Sequence, residues 1–132
     1  MDYSQLSDFE INVAVFEAIH NGSPDYKEGE NGDMVFVSFE GDIVNGDAVE
    51  VEVERGSFNP CANPADAWPI ITENKISTMW MTAEKEWCAW SGGDLEEGCW
   101  EWENIPDYCF CGESPLRAAM IVFLMMQDAN NA

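Results

Sequence analysis

Cys88, Cys99, Cys109 and Cys111 fall within 24 residues, and Cys61 and His20 add two more groups able to bind soft metals. Zinc takes four such ligands in a tetrahedron. The spacing argues against it. There is no C-x-x-C knuckle, only Cys109-Phe110-Cys111, which on a strand places both thiols on one face. Free cysteines also serve as small buried hydrophobes. The expectation is therefore no metal and no cofactor. Five cysteines, an odd number, with no secretory leader point to reduced thiols rather than a disulfide framework.

Nucleophilic catalysis has little to work with. The single His20 sits where a helix should end, beside Asn21-Gly22, and a helix C-terminus favours an imidazolium without any catalytic role. G-x-S-x-G, the phosphate-binding Walker loop and G-x-G-x-x-G are all absent from the sequence. Carboxylates are so abundant, 26 in all, that close pairs arise by chance. Glu30-Asn31-Gly32-Asp33 and the stretch from Asp42 to Asp47 cluster oxygens, but neither matches an EF-hand loop. No catalytic residue is expected.

The tryptophans are more informative. Trp80, Trp87, Trp90, Trp100 and Trp102 lie within 23 residues among acids. Trp87 and Trp90 are three apart, and Trp100 and Trp102 share one strand face. Such residues build a core layer. Exposed, they would form an aromatic patch ringed by Glu96, Glu97, Glu101 and Glu103, suited to a partner's apolar and basic surface. These eight residues other than Trp80 are the candidate partner-binding set.

Charge narrows the choice of partner. Twenty-six acids oppose five bases, a formal charge of -21. Residues 28–54 carry nine acids and residues 86–116 carry eight, with no base in either stretch. Yet 46% of the chain is hydrophobic, with six Trp and seven Phe, so it folds. A folded domain with this coat repels nucleic acid and anionic membrane and favours basic partners. The longest apolar run, Ala118 to Met126, has nine residues, whereas a bilayer span needs about 20. A cytoplasmic location is expected.

The elements that must position these residues follow from patterning. At 132 residues the chain is the size of a single domain. Ser7-Asp8-Phe9-Glu10 is a capping box that opens a helix over 8–20, with Phe9, Val13 and Phe16 inward and Asn21-Gly22 at its end. Strands are predicted at 34–40 and 48–54, joined through Asn45-Gly46, a hairpin signal. Val49, Val51 and Val53 alternate with Glu50, Glu52 and Glu54, which places the valines in the core. Residues 56–69, with three prolines, read as irregular. Ile70-Ile71 and Ile76 to Met81 read as short strands, and Trp87–Trp90 with Trp100–Trp102 as a further hairpin. Ser114-Pro115 opens a last helix over 115–127, with Met120 and Phe123 buried and 128–132 frayed. That helix is apolar nearly all round, so it is enclosed or offers a surface for self-association. The fold class is α+β: an antiparallel sheet with an N-terminal and a C-terminal helix packed on one face.

Two segments resemble a known family. Phe58-Asn59-Pro60, then Pro69-Ile70-Ile71 with Glu73, and later Gly112 to Met120, look like the NinX-like small accessory proteins of lambdoid phages and enterobacterial prophages, a family of unknown function. Asn63, Asp66, Trp68, Pro69, Ile70 and Ile71 carry the first half of the likeness, and Pro115, Leu116, Ala119 and Met120 the second. Together the matched segments cover about half the chain. Ala67-Trp68 stands where many members have a Gly-rich step. The resemblance implies a cytosolic, phage-encoded, non-essential role and brings no catalytic residue with it.

The expected function is a non-catalytic phage accessory protein that binds a host or phage protein with a basic surface. It would bind neither nucleic acid nor membrane directly. One alternative is an acidic DNA mimic. Duplex DNA presents one charge per about 1.7 Å of axis, and a strip of carboxylates can occupy a DNA-binding restriction or defence protein. A metal-dependent enzyme is the other alternative. The charge generates a first prediction. Raising ionic strength from about 0.01 M to 0.15 M shortens the Debye length from about 30 Å to 8 Å. Self-repulsion then weakens, and the melting temperature followed by circular dichroism should rise. A melting temperature indifferent to salt would mean that the acids are dispersed or counter-paired.

Overall fold

The computed structural model describes residues 2–95, 102–104 and 106–130. A short 3-10 turn, Tyr3–Gln5, leads into α1 (Asp8–His20). The capping box forms in both directions: Glu10 N–H donates to Ser7 Oγ and Ser7 N–H donates to the Glu10 carboxylate, each at 3.1 Å. Asn21 closes α1 in the left-handed conformation. Strands β1 (Tyr26–Glu28), β2 (Met34–Val44) and β3 (Asp47–Phe58) form one antiparallel sheet in that order. Asn45 and Gly46 both take positive φ between β2 and β3, as a tight two-residue hairpin requires. After α2 (Pro64–Glu73) come β4 (Ser77–Met81), β5 (Glu86–Ser91), β6 (Asp94–Leu95), β7 (Trp102–Asn104), β8 (Tyr108–Gly112) and α3 (Pro115–Asn130). β4, β5 and β8 form a second antiparallel sheet with β5 central, and β6 pairs with β7.

The α+β class agrees with the patterning, but the strands divide among separate sheets. α3 lies across β5, β8 and β4 and also contacts α1 and α2, while α1 touches β2. Seven consecutive residues, Ala118 to Leu124, are buried. The all-round apolar coat of α3 is thus consumed by intramolecular packing. Self-association through this helix, one of the expectations, has little apolar surface left to use. Ser114 opens α3 as expected, its Oγ accepting from Arg117 N–H at 3.3 Å. The helix continues to Asn130, past the predicted end, and Tyr3 Oη donates to the Asp128 carboxylate.

Four readings are corrected. Ile70-Ile71 is helical, as are residues 64–69 at the end of the segment expected to be irregular, while its start, residues 56–58, completes β3. Asn63 caps α2 by accepting from Ala65 N–H at 3.0 Å, and Pro64 occupies the first turn, where its missing N–H is harmless. Ala67, Ile70 and Ile71 then recur at helical spacing and are buried. Val49 and Val51 are exposed and Val53 is only half-buried. The register opposes Val53, Val51 and Val49 to Ser38, Glu40 and Asp42, so the valines do share a face, but Val49 and Val51 have no cover among the described residues. In α1 the fully buried side chains are Ile11, Asn12 and Val15, while Phe9, Val13 and Phe16 are half-buried. Ile11 and Val15 face the α3 cluster; Phe16 packs on Phe36 and Phe58, with ring centroids 5.1 Å and 5.5 Å away. Finally, β5 pairs with β4 and β8, and Trp102, the described residue of the expected partner strand, pairs with Leu95 instead.

One polar cluster is embedded in this core. Asn12 is wholly buried. Its Nδ2 donates to Asn59 Oδ1 at 2.8 Å and to the Gly32 carbonyl at 2.9 Å, and its Oδ1 accepts from Cys61 N–H at 3.1 Å. Asn59 N–H in turn donates to Asp66 at 2.9 Å. Asn12→Ala would leave the Asn59 carbonyl oxygen and the Cys61 N–H buried without partners. At about 1–3 kcal/mol for each such group, we expect a loss of about 3 kcal/mol in urea unfolding. Asn63→Ala, which removes only a cap, should cost about 1 kcal/mol.

Alkaline pH should weaken the fold. Burial, reinforced by Asp128, pushes the Tyr3 phenol up to about 12, and burial pushes the Cys61 thiol up to about 12. The folded chain therefore holds both protons more tightly than the unfolded one. That contribution is complete below the unfolded values, about 8.5 for Cys and about 10 for Tyr, and disappears as pH rises through the folded values. The melting temperature should fall between about pH 8.5 and 12. A Tyr3→Phe, Cys61→Ala double variant should show a shallower fall.

Candidate partner-binding surface

β2 and β3 are 11 and 12 residues long. At about 3.4 Å per residue such strands outrun a core of this size. Their proximal ends are held: Met34, Val35 and Val37 are buried, and β1 pairs with Met34, Val35 and Phe36. Beyond Ser38 the two strands continue as a ribbon with no third strand beside them among the described residues. Every residue from Phe39 to Val51 is exposed. Phe39 is 55% exposed and Ile43 73% exposed, and Val44, Val49 and Val51 join them.

Each face of the ribbon mixes apolar groups and carboxylates. Cross-strand partners share a face, which puts Phe39 beside Glu52, Ile43 beside Ala48, Glu40 beside Val51 and Asp42 beside Val49. Residues 39–54 contain six acids and no Lys or Arg. Two cations reach in from the base. Lys27 Nζ lies 2.9 Å from Glu52 and 3.1 Å from Glu54, which raises its pKa, Glu52 contributing most. Arg55, the extra residue of a bulge between Phe36 and Val37, donates to Ser38 Oγ at 2.8 Å and pairs with Glu40. Asp42 accepts from the neighbouring Ile43 N–H at 2.8 Å. Asp47, Glu50 and Asp42 have no Lys or Arg bridge among the described residues.

The candidate residues chosen from the sequence fare unevenly. Trp90 is buried and Trp87 half-buried, its ring edge-on to Trp80 at 5.5 Å. Burial removes Trp90 from any exposed patch. Glu96, Glu97, Trp100 and Glu101 lie outside the described residues; Trp102 and Glu103 are placed on β7 by their backbone alone. Among the described residues the exposed tryptophans are Trp80 and Trp68, the latter 64% exposed on α2.

The family-like residues fall mainly on structure. Asn63 caps α2, Asp66 anchors Asn59, and Ala119, Met120, Ile70 and Ile71 fill the core. Leu116 packs against that core from its edge. Arg117 in the same motif donates to Asp8 at 2.7 Å and to the Leu6 carbonyl at 2.7 Å, fastening α3 to the start of α1. An open groove of about 510 Å³ runs between the ends of α1 and α3 and along α2, lined by Ile19, Asp66, Pro69, Ile70, Glu73 and Phe123 among others. Pro69 stands inside α2 and cannot donate to the Ala65 carbonyl, and both residues border this groove.

The ribbon was not legible in the patterning, which predicted its strands only at 34–40 and 48–54, whereas β2 and β3 run to 11 and 12 residues. Strands average about 5–6 residues, and the length that carries this hairpin beyond the core appears only in the structure. The alternation over Val49–Glu54 revealed a face but not whether anything covers it.

The described residues form a small, strongly acidic α+β fold with a closed core and an exposed β2–β3 ribbon. The chain belongs to a phage family, that described as bacteriophage P22 NinX, whose model matches residues 2–127. No curated protein and no solved structure matches it. Among the described residues no helix is long and apolar enough to cross a membrane.

Proposed function

We propose that this phage protein works by binding a host or phage protein whose surface is basic and partly apolar, and that the β2–β3 ribbon is the contact surface. The observation that carries this reading is the ribbon itself: five exposed apolar side chains interleaved with carboxylates on strands that no other element covers among the described residues. Exposed apolar patches of this kind mark interaction sites. The uncompensated acids select a partner by sign and speed its approach. The reading is non-catalytic. His20 stacks near the Phe16 ring, 4.3 Å between centroids, and burial keeps the Cys61 thiol protonated.

DNA mimicry has one feature in its favour. Glu50, Glu52 and Glu54 repeat along one face of β3. Against it, Lys27 bridges two of those three, and apolar groups interrupt the charge. Protein binding through apolar anchors is the better supported reading.

The test compares two variants that leave the core untouched. One carries Phe39→Ser and Ile43→Ser; the other carries Asp42→Asn, Asp47→Asn and Glu50→Gln. Both should melt near the parent. From phage-infected host lysate, a protein captured by the parent should be lost with the apolar variant by tenfold or more, and its complex with the purified parent should be reproduced by titration. The charge variant should mainly slow association and reduce salt dependence. Loss confined to the charge variant, together with competition by duplex DNA, would replace this reading with mimicry. Equal capture by all three proteins would remove the ribbon from the account.

A further inference from the structure

Cys88 and Cys111 face each other across β5 and β8, with Cα atoms 4.1 Å apart and their sulfurs joined in a disulfide. This corrects the expectation of wholly reduced thiols; Cys61 and Cys109 are free. Strand alternation turns Cys88 and Cys111 away from Ala89 and Phe110, which take the core side under α3. Glu86, two residues before Cys88, shares its outer face. A Glu86 carboxylate oxygen and the two sulfurs lie within 4.8 Å of one another, and all three residues are half-buried.

We propose that, once the disulfide is opened, Glu86, Cys88 and Cys111 bind a single Zn²⁺ ion, with water in the fourth position. Opening takes two electrons and two protons from a dithiol reductant, which becomes a disulfide itself. Zn²⁺ then displaces the two thiol protons and binds two thiolates and one carboxylate. With Zn–S bonds of about 2.3 Å, tetrahedral binding separates the sulfurs by about 3.7 Å. Side chains on directly opposed residues of an antiparallel pair reach that separation by χ1 rotation, without strand movement. Two thiolates select a soft or borderline ion over Ca²⁺ or Mg²⁺. A chain of charge -21 concentrates cations at its surface. Cys109 lies farther along the same face, outside the three-residue cluster. Sequence spacing hid this set because its two cysteines are 23 positions apart and its third ligand is one of 26 acids. Disulfide and metal are mutually exclusive at this site, so it reports the redox state of its surroundings.

The experiment titrates the full chain with Zn²⁺, and with Co²⁺ as an absorbing probe, before and after reduction, under anaerobic conditions. The reduced chain should bind one ion and develop thiolate-to-cobalt charge-transfer absorption, while the oxidised chain should bind none. Cys88→Ser and Cys111→Ser should each abolish the absorption. Glu86→Gln should weaken binding about tenfold, as loss of one ligand or its support does, and Cys109→Ser should change nothing. A reduced parent chain that binds no ion overturns the proposal, however the variants fold. So does binding that survives Cys88→Ser with Cys111→Ser, or that depends on Cys109.

Discussion

The buried Asn12 side chain ties together parts of the chain that are far apart in sequence. It is a polar group placed on the face of α1 where an apolar residue would ordinarily stand. Such a group is tolerated only if its hydrogen bonds are complete. They are completed by the Gly32 carbonyl, the Asn59 amide oxygen and the Cys61 N–H. One side chain therefore fixes α1 to the loop before β2 and to the turn between β3 and α2. Asp66 extends the network by holding the Asn59 N–H, so α2 cannot shift without breaking it. On the other side, Arg117 clamps the start of α1 to α3. The three helices are positioned by directional bonds, and the apolar core fills the space between them.

That arrangement gives the family-like residues a physical meaning. Phe58-Asn59-Pro60 and Asn63 to Ile71 build the turn, the cap and the buried face that the network requires. Pro115 to Met120 start α3 and supply its clamp. Two short sequence segments thus specify the frame, and the frame leaves the outer halves of β2 and β3 unconstrained. Trp68 and Pro69 are exposed within the same motif, beside the groove, and packing does not explain them.

Much of the frame was legible in the sequence and most of the candidate surface was not. The capping box at Ser7, the Asn45-Gly46 turn and the Ser114-Pro115 start are local signals, and each sits where local chemistry placed it. α2 was missed because prolines were read as breakers. Pro64 is a helix starter, and Pro69 falls on the exposed side. The burial of Val49 and Val51 was misjudged because alternation reports which residues share a face and is silent about what lies opposite. Strand order is non-local as well: nothing in the neighbourhood of Trp90 says that β8 will pair with β5 and make β5 central. The union of Cys88 with Cys111 was illegible for the same reason.

The ribbon and the net charge explain each other. Open strand edges carrying Phe39, Ile43 and valines invite edge-to-edge pairing with another copy. Here, pairing two copies along the ribbon would bring six carboxylates of one chain against six of the other. Lys27 and Arg55 offset part of that repulsion near the base of the ribbon, while Asp42, Asp47 and Glu50 toward its tip have no such counterion. Repulsion is therefore strongest where apolar exposure is greatest, at the end bearing Ile43 and Val44. Acids in those positions act as gatekeepers against self-association. Under the proposed function, a partner surface that brings positive charge would meet no such barrier and would gain the apolar contact that a second copy is denied.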